Sequence, residues 1–248
     1  MNHSKSSQPS DKHLKLLKRL IASGTPRQYH VYFQEHHEAD IADALEELSH
    51  DLKQKFFQKV KPEIAAEILE EMEMTQQLEI ITEIKTGLAV KYIEEMHRDD
   101  AVDLLEELRE TDEDKADEIM EALPVSEARD LKELLSYAED SAGAIMTTEF
   151  LSIPENLSVK EAMSAIKKQN PPDTEVSFYL YVVDNDNRLI GYTSLRSLLM
   201  SPGTTKVKDI RNDYPISTTV DADQEEVAIL IQKYDIVAIP VVDHKNHL

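Results

Sequence analysis

An apolar residue returns at every twelfth position along the middle of this chain: Leu48, Val60, Met72, Ile84, Met96, Leu108 and Met120. Four residues before each stand Ala44, Phe56, Ile68, Ile80, Tyr92, Leu104 and Ala116. Three residues before stand Leu45, Phe57, Leu69, Ile81, Ile93, Leu105 and, as the one exception, Asp117. Offsets of −4, −3 and 0 lie on one helix face. Polar or breaking residues fall between the units, at Pro62, Gly87, His97–Asp99 and Thr111–Glu113, which a single continuous helix would not need. The pattern predicts short helices of about eight to ten residues, each turning into the next and stacked as a superhelix. Runs of β-branched residues are missing here, while Glu, Leu, Ala and Lys dominate. "EEL" or "EEM" at 46–48, 70–72, 94–96 and 106–108 sets two carboxylates before a core position. The repeat assigns these glutamates to the solvated face.

The charge follows the same block. The formal net charge is −22, and residues 35–140 alone hold 33 acidic residues against 11 Lys and Arg. Residues 1–34 carry six Lys and Arg against one acid. Like charge at this density opposes a compact state unless solvent, a basic protein surface or cations neutralise it. Nucleic acid is excluded as a partner, because binding it requires a basic surface. There is no cysteine, which removes disulfides and thiolate metal sites. Neither a signal peptide nor a run of 18 or more apolar residues is present. Residues 1–10 read as disordered, and 11–22 as a basic amphipathic helix with Leu14, Leu17 and Ile21 on one stripe, suited to an anionic membrane surface or, the better reading, to covering the open end of a helical stack.

The texture changes near residue 140. After a short β-like run, Asn156–Ser158 offers a helix cap, and Ala162, Met163 and Ile166 form the helix stripe. Tyr179–Val183, the turn at Asp184–Asn187 and Leu189–Tyr192 read as strand, turn and strand, followed by a helix. The order is β-α-β-β-α. A second copy starts at Ile216–Val220, with its helix in "DADQEEVAILIQKYD" and its strand in "AIPVVD" at 238–243. It stops at Leu248, where its next strand and helix are expected. The fold expected is therefore multidomain α and α/β, an all-α superhelix followed by a pair of β-α-β-β-α units with the second truncated. The boundaries expected are 1–34 for the start and first helix, 35–138 for the acidic superhelix, 139–205 for the first module and 206–248 for the second.

The paired α/β units resemble CBS modules. The acidic helical block ending in "AEDSAGAIMTTEF" resembles the N-terminal domain of MgtE-type magnesium transporters, and the combination with "VDADQEEVA" covers roughly residues 35–248. The resemblance implies the cytosolic, Mg2+-sensing region of a magnesium transporter, on the cytoplasmic face of the cell membrane. It implies a homodimer through the CBS modules and a membrane domain in the same parent chain. Bound Mg2+ would bridge the N-terminal and CBS domains and favour a closed state. It also implies the ligands, matched one by one: Asp99 of the Asp99–Asp100 pair and Glu67 in the acidic block, Asp223, Glu225 and Asp235 around the second-module helix, and the backbone carbonyl of Ala144, where the family usually has glycine.

Competing roles accompany these matches. Asp99 and Asp100 sit where a helix dipole favours acids, and Asp223 is placed to cap the helix that follows. CBS pairs often bind adenine nucleotides, for which Tyr179 could stack on a base and Arg196 could meet a phosphate. Ser197 stands where such sites carry a ribose-binding Asp. The histidines point to no transition-metal site: His36 and His37 are adjacent and face apart, and His50 and His97 have no histidine partner at i+3 or i+4. No phosphate loop, catalytic triad or cysteine nucleophile is present, so an enzyme is not expected. Alternatives to the transporter reading are a soluble CBS-type adenine-nucleotide sensor and a helical-repeat interaction scaffold.

Overall fold

The computed structural model describes residues 11–169, 179–213 and 215–248, so the reading of residues 1–10 lies outside the described residues. The chain divides into two compact units, 1–132 and 133–248. The helices of the first region are α1 Asp11–Ser23, α2 Pro26–Glu35, α3 Glu38–Glu46, α4 His50–Phe57, α5 Pro62–Glu70, α6 Met74–Glu83, α7 Thr86–Glu95, α8 Arg98–Thr111, α9 Glu113–Ala122 and α10 Val125–Leu134.

Every residue of the twelve-residue pattern except Asp117 is buried, from Ala44 and Leu45 through Leu104, Leu105 and Leu108 to Met120. The breaking residues mark helix boundaries. Pro62 opens α5, Gly87 lies in the first turn of α7, His97 is the N-cap of α8, and Asp112 closes α8 and caps α9 by accepting from the Lys115 backbone N–H at 3.1 Å. α8 is longer than expected, at 14 residues, because nothing between Leu108 and Asp112 breaks it.

Helices do not stack on their immediate neighbours alone. α3 packs on α5, α5 on α7 and α7 on α9, while α4 packs on α6 and α6 on α8. The packing unit is therefore a pair of helices, two twelve-residue steps. This corrects the expected exposure of the "EE" pairs. Glu46 Oε1 accepts from the backbone N–H of Glu73, the N-cap of α6, at 2.9 Å. Glu70 Oε1 accepts from the backbone N–H of His97, the N-cap of α8, at 2.7 Å. Both partners lie 27 residues further on. These carboxylates occupy helix N-termini that lack a side-chain cap of their own. Glu70→Ala and Glu46→Ala are each expected to cost about 1 kcal/mol in urea unfolding, whereas Glu71→Ala, on the exposed face, should stay within about 0.5 kcal/mol.

α1 covers the end of the stack, packing on α3 and α4 with Leu17, Leu20 and Ile21 buried. Leu20 joins the stripe and Leu14 is only half-buried. α4 and α6 are also linked by His50, whose Nδ1 meets Glu79 at 2.7 Å and whose Nε2 meets Glu83 at 2.6 Å. A ring facing carboxylates through both nitrogens is held protonated, and these bonds, to Glu79 first and Glu83 second, raise the His50 pKa. A raised histidine pKa adds stability below its unfolded value, and that stability is lost as pH rises through the folded value. The melting temperature should therefore fall from pH 6 to pH 8 more in the wild type than in His50→Gln, by thermal denaturation of the pair in one buffer series.

The second unit holds β1 Ser152–Pro154, α11 Val159–Gln169, β2 Tyr179–Val183, β3 Leu189–Ser194, α12 Leu195–Met200, β4 Asn212–Asp213, β5 Thr218–Thr219, α13 Gln224–Tyr234 and β6 Val241–Val242. β1 to β4 form one sheet in chain order, with β1 parallel to β2 and the remaining pairs antiparallel. β5 and β6 form a parallel pair around α13, repeating the β1-α11-β2 crossover. The first module is thus β-α-β-β-α, as its sequence predicts. Ser158 and Glu161 cap α11 reciprocally, and Ala162 packs with Met163 and Ile166 against Ile153, Leu180 and Val182.

Candidate metal-binding carboxylates

In the first unit, α8 begins with Asp99 and Asp100 in its first turn, and Asp103 follows one turn after Asp99. Glu67 and Glu70 end α5. The α5–α8 junction, fixed by Glu70 on the His97 N–H, gathers these groups. Asp100 is pushed up to about 7 by partial burial and then by the negative charges of Asp99 and Glu70. Burial, then Glu38 and Glu70, raises Glu67; burial, then Asp99 and Glu107, raises Asp103. Among the described residues, no lysine or arginine comes within ion-pair distance of Glu67, Asp99, Asp100 or Asp103. The nearby guanidinium of Arg98 is turned to Glu127 instead, and both side chains are mostly buried. The edge is therefore a set of crowded carboxylates with no lysine or arginine paired to them, the His97 imidazole, 4.0 Å from Asp100, offsetting part of their charge. Its donors are hard oxygens, which suit Mg2+.

The second unit brings other expected residues together. The segment before the first strand lies against the start of α13. Ala142 N donates to Ala222 O at 2.7 Å, Gly143 N to Val220 O at 2.8 Å, and Gln224 N to Asp140 O at 2.8 Å. Gly143 is required here, since a Cβ would come within 2.6 Å of the Tyr137 ring. Ala144 is buried in this segment, held by its N–H on Ser141. Among the described residues its carbonyl oxygen accepts no hydrogen bond.

Asp223 caps α13, with Oδ1 accepting from Glu225 N at 2.8 Å, which leaves its second oxygen for another partner. Glu225 is exposed in the first turn. Asp235 stands at the opposite end as the C-cap, in the left-handed region at φ 50°. Asp tolerates this conformation better than most residues. Asp223 and Asp235 are separated by the whole of α13, roughly 18 Å at 1.5 Å per residue, so one ion cannot join them within the chain.

Tyr179 pairs with Ser194 across β2 and β3 and packs edge-on against Tyr192 at 5.8 Å. Arg196 is exposed two residues beyond Ser194. Ser197, in place of the expected ribose ligand, gives its N–H to the Ser194 hydroxyl at 3.0 Å, closing the cap of α12.

Reading the sequence alone missed Glu70, Asp103 and His97. A carboxylate 27 residues before each of two N-caps was the available signal, but it acquires meaning only once alternate helices are known to stack.

Residues 36–140 match the family described as MgtE intracellular N domain, and residues 142–202 match the CBS domain family. The magnesium transporter MgtE of Enterococcus faecalis is 48% identical over 122 residues, which are 49% of this chain and 27% of that relative. The chain thus spans about a quarter of the length of the curated relatives it matches. The crystal structure of the soluble part of a magnesium transporter superposes with a TM-score of 0.88 at 33% identity, over 96% of this chain and 92% of that one. The cytosolic domain of the Mg2+ channel MgtE, in complex with ATP, gives 0.86 at 29% identity, over 95% and 94%. No helix among the described residues is long and apolar enough to cross a membrane. The superhelical N domain, the CBS sequence after it and a 33%-identical structural relative covered almost whole place this chain in the MgtE family.

Proposed function

We propose that this chain is the Mg2+-sensing regulatory region of a magnesium transporter, working at the cytoplasmic face of the cell membrane. The observation that carries the reading is the crowding of Glu67, Asp100 and Asp103, each raised by burial and like charge with no lysine or arginine against it. Bound Mg2+ would supply positive charge to carboxylate oxygens while keeping several of its waters. In this reading Asp99 and Glu67 offer their oxygens from the first unit. Asp223, Glu225 and Asp235 offer theirs from the second, with the Ala144 backbone carbonyl as a further donor. When the ions leave, the carboxylates repel and the units separate; when ions are present, the compact and closed arrangement is favoured by the difference in affinity. Asp235, at the far end of α13, would serve a different ion from Asp223. The assembly would be a homodimer through the CBS modules, joined to a membrane domain of the same parent chain.

Calorimetric titration with MgCl2 tests this. The wild type should bind several ions at millimolar-range concentration, with fewer in Asp99→Ala and in Asp223→Ala. Absence of heat, or identical isotherms in all three proteins, would refute it.

A second reading, adenine-nucleotide binding, is favoured by Tyr179 and Arg196 lying on neighbouring elements and by the relative solved with ATP. Ser197, already engaged with Ser194, offers no carboxylate to the ribose hydroxyls. Binding of ATP should therefore be weaker in this chain than in a Ser197→Asp variant.

A further inference from the structure

We infer that Glu70, His97 and Asp100 form a binding site for a borderline divalent transition ion, of the Zn2+ or Co2+ type, sharing none of its three ligands with the Mg2+ ligands Asp99 and Glu67. One ligand atom of each lies within 4.8 Å of the others. They come from two elements, Glu70 from the end of α5 and His97 and Asp100 from the start of α8. Glu70 Oε1 is fixed on the His97 backbone N–H, which points its Oε2 at the imidazole Nδ1, 3.1 Å away. Asp100 Oδ2 lies 4.0 Å from the same nitrogen. Ligands about 2.0–2.2 Å from a four-coordinate ion stand roughly 3.4 Å apart. Glu70 and His97 already meet that spacing, and Asp100, a half-exposed side chain, reaches it by a small rotation.

The imidazole decides the ion. Mg2+ takes oxygen donors and gives up water reluctantly. A nitrogen with two carboxylates follows the preference of Zn2+, Co2+ and Ni2+ for imidazole. Three protein ligands leave one coordination position for water. This site lies wholly within the first unit, and it does not depend on ions bridging to the second. Its occupation would neutralise the edge that carries Asp99, so a transition ion could modulate the Mg2+ response without competing for Asp99.

The test is Co2+ titration of the full chain in the presence of excess Mg2+, followed by visible absorption and by paramagnetically shifted imidazole protons in NMR. His97→Gln keeps its backbone N–H for Glu70, and Glu70→Gln keeps its acceptor, so both variants should fold; circular dichroism checks this. One saturable Co2+ site is expected, weakened tenfold or more in both variants and unchanged in Glu71→Ala, on the exposed face. No saturable Co2+ binding, binding unchanged in His97→Gln, or complete displacement by millimolar Mg2+ would each overturn the assignment.

Discussion

Phe56→Ala should lower the unfolding free energy of the first unit by about 3–5 kcal/mol, the upper range for a core truncation. Phe56 is fully buried and is the aromatic centre of the end of the stack. Its ring meets Phe57 edge-on at 5.4 Å, Phe33 edge-on at 6.2 Å and Tyr29 at 6.2 Å. Truncation removes the transfer energy of the ring and leaves a cavity between α2, α4 and their neighbours. Against a total of about 5–15 kcal/mol for a typical domain, this should lower the melting temperature by more than about 10 °C. The counterpart is Asp117→Ala. Asp117 is the one polar residue at a repeat position and is exposed beside Arg109 at 3.9 Å. Its loss should change stability by less than about 0.5 kcal/mol. Chemical denaturation of both variants separates true repeat positions from a chance periodicity; equal losses would refute the repeat as the basis of the core.

The second large effect concerns ions. Mg2+ should stabilise the wild type by RT ln(1 + [Mg2+]/Kd) for each site it fills, about 1.4 kcal/mol per site at ten times Kd, with several sites adding. Asp99→Ala should remove the share of every site to which Asp99 contributes. In the absence of divalent ions the same variant should be as stable as the wild type or more so, because it relieves repulsion on Asp100 and Asp103. A variant that lost stability in EDTA would show that Asp99 has a structural role, as a first-turn acid favoured by the α8 dipole. Thermal melts with EDTA and with a series of MgCl2 concentrations distinguish the two.

The sequence carried the first unit's core well because a helix face needs only its own spacing. Leu48 to Met120 could be assigned without knowing any neighbour. The second-unit elements were equally readable, since helix caps such as those at Ser158 and Asp223 act over two or three residues. What escaped was everything set by contacts between distant helices. Glu46 and Glu70 looked solvated because their partners, Glu73 and His97, lie 27 residues away. His97 had no histidine at helical spacing, yet folding supplies it with Glu70. Asp235 read as a ligand from the resemblance, and its left-handed capping conformation follows from the end of α13, which no local pattern near residue 235 announced. The Asp99 assignment rests on the resemblance and on the excess of negative charge around it.

That assignment is tested most directly by small-angle scattering of the full chain with and without millimolar-range Mg2+. The account predicts a smaller radius of gyration with Mg2+ in the wild type and a reduced change in Asp99→Ala. A radius unchanged by Mg2+ in the wild type, or an equal contraction in Asp99→Ala, would contradict it.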